Sequence, residues 1–212
     1  MFNWNNILAN SQTFKNNKPF PYGFIEEVLE RDLYEKLRKT FPKEDDRWYI
    51  PQDMTRSAKK RYFGKDDWRV AVDSDDPSLS KEWNDFHHYL FSKDFIEKMS
   101  AYSGIKLTKL RHFIFIINGK GDFNMPHHHF GESQNAVGGY KMTCLMYLAK
   151  DWNKGDPGGT YICANEDESS IIFEPHNLDN TMVLFKETPV SWHGSRYITK
   201  DVKRPSIQFT LD

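Results

Sequence analysis

The second half of the chain constrains the fold most. From Leu107 onward, short runs rich in β-branched and aromatic residues follow one another: His112–Ile117, Tyr140–Leu148, Thr160–Ala164, Ile171–Phe173, Met182–Phe185, Val190–His193 and Ser206–Leu211. Turn-forming residues separate them at Asn118-Gly119, across Lys154–Gly159 and across Asn177–Asn180. None of these runs can bury an apolar face alone. A succession of short strands with regular turns predicts a sandwich or barrel, in which the strands cover one another.

The first half reads differently. Leu33, Leu37 and Phe41 fall four residues apart, with Tyr34 beside them, which predicts one apolar helix face stopped at Pro42. A second helical stretch is expected over Leu79–Ser103. Trp83, Phe86, Tyr89, Leu90, Phe95, Ile96 and Met99 keep a mostly helical spacing there, a break is expected near Ser92, and Gly104 suits the end. Between the helices, Asp53–Arg69 mixes Arg56, Lys59, Lys60, Arg61, Lys65 and Arg69 with Tyr62, Phe63 and Trp68. It reads either as a solvated loop over one edge of the core or as a segment facing a substrate. No repeat or long linker divides the chain. The expected organisation is an α+β single domain over 1–212, with a mainly helical part at 1–106 buttressing a β core at 107–212.

Composition narrows the function. Lys plus Arg number 29 and Asp plus Glu 30, a net charge of -1, so no global positive field gathers nucleic acid. Aromatics at 15 % supply bulk for a core. No window reaches the roughly 20 apolar residues of a membrane helix, and the polar start at Met1–Asn10 lacks a secretory pattern. Cys144 and Cys163 sit in apolar runs and are expected as buried thiols, not a disulfide. These features predict a cytoplasmic protein without a membrane or nucleic-acid partner.

The chemistry concentrates in Met125-Pro126-His127-His128-His129. If this segment is extended, His127 and His129 share one face and His128 points the other way. Two imidazoles on one face can bind one metal ion, and a third ligand from a distant strand completes a face-capping site with open positions. His193, in Val190-Ser191-Trp192-His193-Gly194, fits that role at the end of an apolar run. Taken singly, a histidine run is commonly a polar turn and a lone strand histidine a structural one. The combination favours a metal site.

With these residues in view, the chain resembles the small prolyl-4-hydroxylase-like members of the iron(II)/2-oxoglutarate oxygenases. The resemblance runs through Pro19-Phe20-Pro21-Tyr22-Gly23-Phe24-Ile25, the Leu33/Leu37 helix and Phe41-Pro42. It continues through Gly121-Asp122-Phe123 leading to Pro126-His127, then Tyr147–Trp152 and Gly158-Gly159. Glu174–Asn177, Val183–Phe185, Trp192-His193-Gly194 and Arg204-Pro205-Ser206-Ile207 follow in the family's order. It implies a double-stranded β-helix, or jelly-roll, core, with iron(II) as cofactor and 2-oxoglutarate and O2 as cosubstrates. His127 would be the first metal ligand and His193 the distal one. Arg204 would pair with the far carboxylate of 2-oxoglutarate through its planar fork, with Ser206 adding a hydroxyl donor and Tyr147 a further contact.

One departure matters. The family usually carries His-x-Asp or His-x-Glu, and this chain has His129 at the third position of that motif. Three neutral imidazoles leave one more unit of positive charge than a two-His, one-carboxylate set, which would strengthen attraction for an anionic cosubstrate and alter the redox potential. Metal affinity is expected to fall below about pH 6, where free imidazoles protonate. Two other registers stay open: Glu132 as ligand through a bulge, or a halogenase-like His129-Phe130-Gly131. The expected reaction is hydroxylation of an unactivated carbon in a small-molecule or peptide substrate, with release of succinate and CO2. The alternatives are a three-His dioxygenase that does not use 2-oxoglutarate and a non-catalytic metal-binding β domain.

Overall fold

The computed structural model describes residues 1–212 except 52, 68, 69, 131–139 and 151. Two short helices, α1 (Trp4–Ala9) and α2 (Ser11–Asn16), open the chain, followed by strand β1 (Tyr22–Glu26) and helix α3 (Arg31–Lys39). Tyr34 and Leu37 of α3 are buried and Leu33 packs against the same core, as the four-residue spacing predicts. The expected helix over Leu79–Ser103 is two helices, α4 (Lys81–Phe91) and α5 (Lys93–Ser103). Ser92 separates them because it takes an extended conformation and its side chain accepts the Phe95 N–H, capping α5. Gly104 then ends α5 at φ +70°, a conformation that favours glycine.

The first half also contributes strands that periodicity did not reveal: β1, β2 (Arg56–Ser57) and β3 (Lys59–Tyr62). The remaining strands are β4 (Leu110–Asn118), β5 (Phe123–His127), β6 (Met142–Leu148), β7 (Thr160–Cys163), β8 (Ile171–Phe173), β9 (Asp179–Lys186), β10 (His193–Ser195) and β11 (Arg204–Leu211). The run expected as a strand at Val190–His193 is corrected. Its first part is a turn, held by the Ser191 N–H on the Thr188 carbonyl, and His193 begins a strand instead of ending one.

All strand pairings are antiparallel. One sheet has the order β1-β9-β6-β11-β4-β3, the other β2-β5-β10-β7-β8, giving the two layers of the expected jelly roll. In the larger sheet the side-chain alternation separates two environments. Phe113, Phe115, Cys144, Met146, Ile207 and Phe209 face the helices and join the main apolar cluster. Ile114, Ile116, Asn118, Tyr147, Arg204 and Ser206 face a cavity between the sheets. Both cysteines are buried and free. Among the described residues no helix is long and apolar enough to cross a membrane.

Asn180 ties the N-terminal segment to this core. It is buried at φ +58°; its Oδ1 accepts the Leu29 N–H at 3.0 Å and its Nδ2 donates to the Leu29 carbonyl at 2.8 Å. Asn180→Ala removes both partners of buried backbone groups and leaves a β-carbon in left-handed backbone without the compensating bonds. It is expected to destabilise the protein by about 2–4 kcal/mol in urea unfolding.

Candidate metal centre

The strand register brings the histidines together. His193 in β10 is the direct cross-strand partner of His127 in β5, with ring centroids 4.3 Å apart. Next to His193, a β-carbon on Gly194 would lie 2.4 Å from the Tyr161 hydroxyl and 2.5 Å from the Asn124 carbonyl, so this close passage of β10 requires glycine. His129 lies just beyond the end of β5, in a bend, 4.8 Å ring to ring from His193. The extended conformation expected through His129 therefore stops at His127. His129 still turns to the same side as His127, while His128 packs its ring against Trp192.

One ring nitrogen from each of His127, His129 and His193 lies within 4.8 Å of the others. Metal–imidazole bonds of about 2.1 Å put neighbouring ligand atoms about 3 Å apart, so side-chain adjustment of an ångström or two suffices to share one ion. Which nitrogens face the ion follows from hydrogen bonding. His127 Nδ1 is 2.8 Å from the Met125 carbonyl and His193 Nδ1 2.9 Å from the Ser191 carbonyl. A carbonyl only accepts, so both Nδ1 atoms carry the proton and both Nε2 atoms keep their lone pairs. His129 Nδ1 is 3.0 Å from Glu187 Oε1, with the same consequence. Glu132 and Gly131, which would define the other two registers, lie outside the described residues.

Electrostatics suits a metal. Burial first, then the His129 ring, pushes the His127 pKa down to about 3. Burial, followed by the His127 and His129 rings, holds His193 well below the ordinary histidine range. Burial therefore favours the neutral, ligand form of both rings, against the protonation of solvated imidazoles on which the expected loss of metal affinity near pH 6 rests. The sequence-based expectation assumed solvated imidazoles.

Arg204 lies in the same cavity, of about 360 Å3, and is 3 % exposed. Its Nη2 donates to Asn118 Oδ1 at 2.7 Å, across the β11–β4 register that pairs these two residues. Among the described residues, Nε and Nη1 are buried without any hydrogen-bond partner. Burial lowers the Arg204 pKa. A guanidinium held by one arm keeps its other donors available to an anion, and such donors are costly to bury unsatisfied. Gly158, at φ +104°, makes room: a β-carbon there would lie 2.8 Å from Ile198 and 3.2 Å from Arg204 Nη1.

Ser206 is two residues along β11 on the same cavity face, and Tyr147 is its cross-strand partner. The Tyr147 hydroxyl donates to Thr160 Oγ1 at 2.5 Å and accepts the Thr160 N–H at 2.9 Å. Its ring lies 5.4 Å from the Arg204 guanidinium carbon. Tyr147 is thus a platform for Arg204, and a direct contact with a ligand carboxylate would require its proton to leave Thr160.

Several cavity residues escaped sequence reasoning. Asn118 and Thr160 carry no motif, and only the register places them beside Arg204 and Tyr147. The segment Asp53–Arg69 is not a solvated loop in its described part: β2 and β3 join the two sheets, and Arg56, Lys60 and Tyr62 line the cavity. Its mixture of cations and aromatics was the available signal. Trp68 and Arg69 lie outside the described residues.

Comparison with known proteins adds to this geometry. A search of curated proteins finds no match. Among solved structures, a Pseudomonas putida prolyl-4-hydroxylase superposes with a TM-score of 0.65 at 12 % identity, covering 97 % of each chain. A Trichoplax adhaerens prolyl hydroxylase, solved with a hypoxia inducible factor oxygen degradation domain peptide, gives 0.64 at 14 % identity over 98 % of this chain and 88 % of that one. The non-heme alpha ketoglutarate dependent epimerase SnoN from nogalamycin biosynthesis gives 0.63 at 10 % identity, covering 97 % of this chain and 82 % of that one. At such identities these likenesses establish the fold alone. The family model of the 2OG-Fe(II) oxygenase superfamily matches residues 112–210, the segment that carries all three histidines and Arg204. With that match set in a jelly roll shared along nearly the whole chain, residues 112–210 form a domain of the 2OG-Fe(II) oxygenase superfamily, the mark of a 2-oxoglutarate-dependent dioxygenase that uses iron(II).

Proposed function

We propose that this enzyme hydroxylates an unactivated carbon of a small-molecule or peptide substrate, with conversion of 2-oxoglutarate to succinate and CO2. The metal would be held by Nε2 of His127, His129 and His193. The observation that carries the reading is the pair of buried, unmet Arg204 donors in the same cavity as the three imidazoles. When bound, iron(II) with 2-oxoglutarate and oxygen supplies an oxidant able to attack a C–H bond.

The chain's own residues do the binding and positioning. The Arg204 guanidinium offers Nε and Nη1 to the far carboxylate of 2-oxoglutarate, a charge-assisted pairing strengthened by the burial of the guanidinium. Asn118 holds the remaining arm, so the fork does not reorient. Ser206 adds a hydroxyl, and Tyr147, fixed by Thr160, forms the wall behind the guanidinium. Ile114, Ile116 and Leu145 line the cavity with apolar surface that excludes water around the reacting atoms. Residues of β2 and β3 line one edge of the cavity, and the substrate would meet Arg56, Lys60 and Tyr62 there. The buried free thiols Cys144 and Cys163 suit a reducing, cytoplasmic setting.

The reading is tested by measuring succinate release from 2-oxoglutarate with Fe2+, over a panel of amino acids, peptides and small metabolites. Substrate-stimulated succinate formation is expected. Oxygen uptake that persists without 2-oxoglutarate would point instead to a three-His enzyme whose substrate chelates the metal.

Arg204→Met separates binding from folding. Losing a buried charge partner for a carboxylate typically costs 2–5 kcal/mol, so 2-oxoglutarate affinity is expected to fall on the order of 10²- to 10³-fold. The ligand-free variant should unfold in urea at the same or a higher midpoint, because a half-satisfied buried cation disappears. A large loss of ligand-free stability would make Arg204 a structural residue.

A further inference from the structure

Glu187 is a carboxylate in direct contact with one of the three histidines, and the proposed function does not use it. It follows the last residue of β9, where its N–H donates to the Lys141 carbonyl at 2.9 Å. The residue is 6 % exposed, deep for a glutamate. Its Oε1 accepts from His129 Nδ1 at 3.0 Å and also from the Thr143 hydroxyl; its Oε2 lies 3.3 Å from Ser191 Oγ. Among the described residues, its only ion-pairing partner is His129. A carboxylate taken out of water beside neutral groups is expensive unless a positive charge compensates it.

The two other histidines are oriented differently. His127 and His193 each donate Nδ1–H to a backbone carbonyl, which carries no net charge. Only His129, the residue that stands where a carboxylate ligand would enter the site, leans on a carboxylate. The same short turn serves two ligands: Glu187 and Ser191 lie four residues apart, and the Ser191 carbonyl accepts from His193 Nδ1.

We propose that Glu187 is a positioning residue for the metal, acting through His129: it fixes the ring with Nε2 toward the ion and returns one negative charge to an otherwise neutral three-imidazole ligand set. The inference rests on the three-His reading of the site. A carboxylate hydrogen-bonded to a ligand imidazole raises its basicity and locks its orientation, and removing such a partner typically weakens metal binding about 10- to 100-fold. Glu187 also gains from the arrangement. The ion's charge, relayed by the His129 ring, supplies the positive partner that its burial lacks.

The test uses Co2+ in place of iron, read by direct titration and by the d–d absorption of the bound ion, on the full chain. Glu187→Gln keeps the shape and an acceptor but removes the charge. It is expected to weaken Co2+ binding about 10- to 100-fold and to shift the d–d bands, with the ligand-free protein as stable as wild type. A merely structural glutamate would change stability and leave the spectrum of the bound ion as it was. His129→Ala is measured alongside. Wild-type Co2+ affinity and spectrum in His129→Ala would sink the three-His reading itself. Weakened binding in His129→Ala together with wild-type affinity and spectrum in Glu187→Gln would leave that reading standing and overturn the role assigned to Glu187.

Discussion

The pairing of His193 with His127 across β10 and β5 is the constraint on which the site depends. A side chain's face in a sheet is set by register, and a slip of one residue would turn either ring out of the cavity. Gly194 allows β10 to pass against Tyr161 and the Asn124 carbonyl at distances no β-carbon could tolerate, so the register is held by packing as well as by ladder hydrogen bonds. The second register that matters, β11 against β4, places Arg204 opposite Asn118 and so leaves the free side of the guanidinium in the cavity.

Two sets of binding groups meet in one cavity. Three imidazoles bring ring nitrogens within 4.8 Å of one another, and a guanidinium presents two donors with no acceptor among the described residues. Neither arrangement is favourable for folding alone, because polar groups buried without partners lose their hydration without recompense. Such groups persist where a ligand completes them, and on the proposed reading a metal beside a dicarboxylate would complete both ends. The surrounding protein gives up little freedom at the moment of binding, since Met125, Ser191, Glu187 and Asn118 already hold the side chains.

Much of the architecture was legible in the residue pattern. The strand runs after Leu107, the α3 face at Tyr34 and Leu37, the helix break at Ser92 and the glycine stop at 104 all rest on local rules, in which side-chain period and capping chemistry act within a few residues. The misplacements have local causes too. Trp192 and Val190 resemble strand residues, yet a Thr188–Ser191 turn holds them, and β2 and β3 were hidden because edge strands in a charged segment lack the clean alternation of a half-buried sheet, while β1 is only five residues long. Glu187 sits in Lys186-Glu187-Thr188-Pro189, which reads like any surface turn, and nothing short of its burial distinguishes it.

By itself, then, the order of residues determined the chemical types available: two imidazoles in His-x-His, a distant third, an arginine after it, and a β-rich half able to hold them. Which atoms face one another was decided only by the tertiary structure: the Nδ1 partners that leave each Nε2 open, the carboxylate behind His129, the platform under Arg204, and the presence of Arg56, Lys60 and Tyr62 in the cavity wall. The reason is physical. Residue type and spacing act over one turn or one pleat, whereas burial, register and hydrogen-bond partnership are set between segments far apart in the chain, after both sheets have packed.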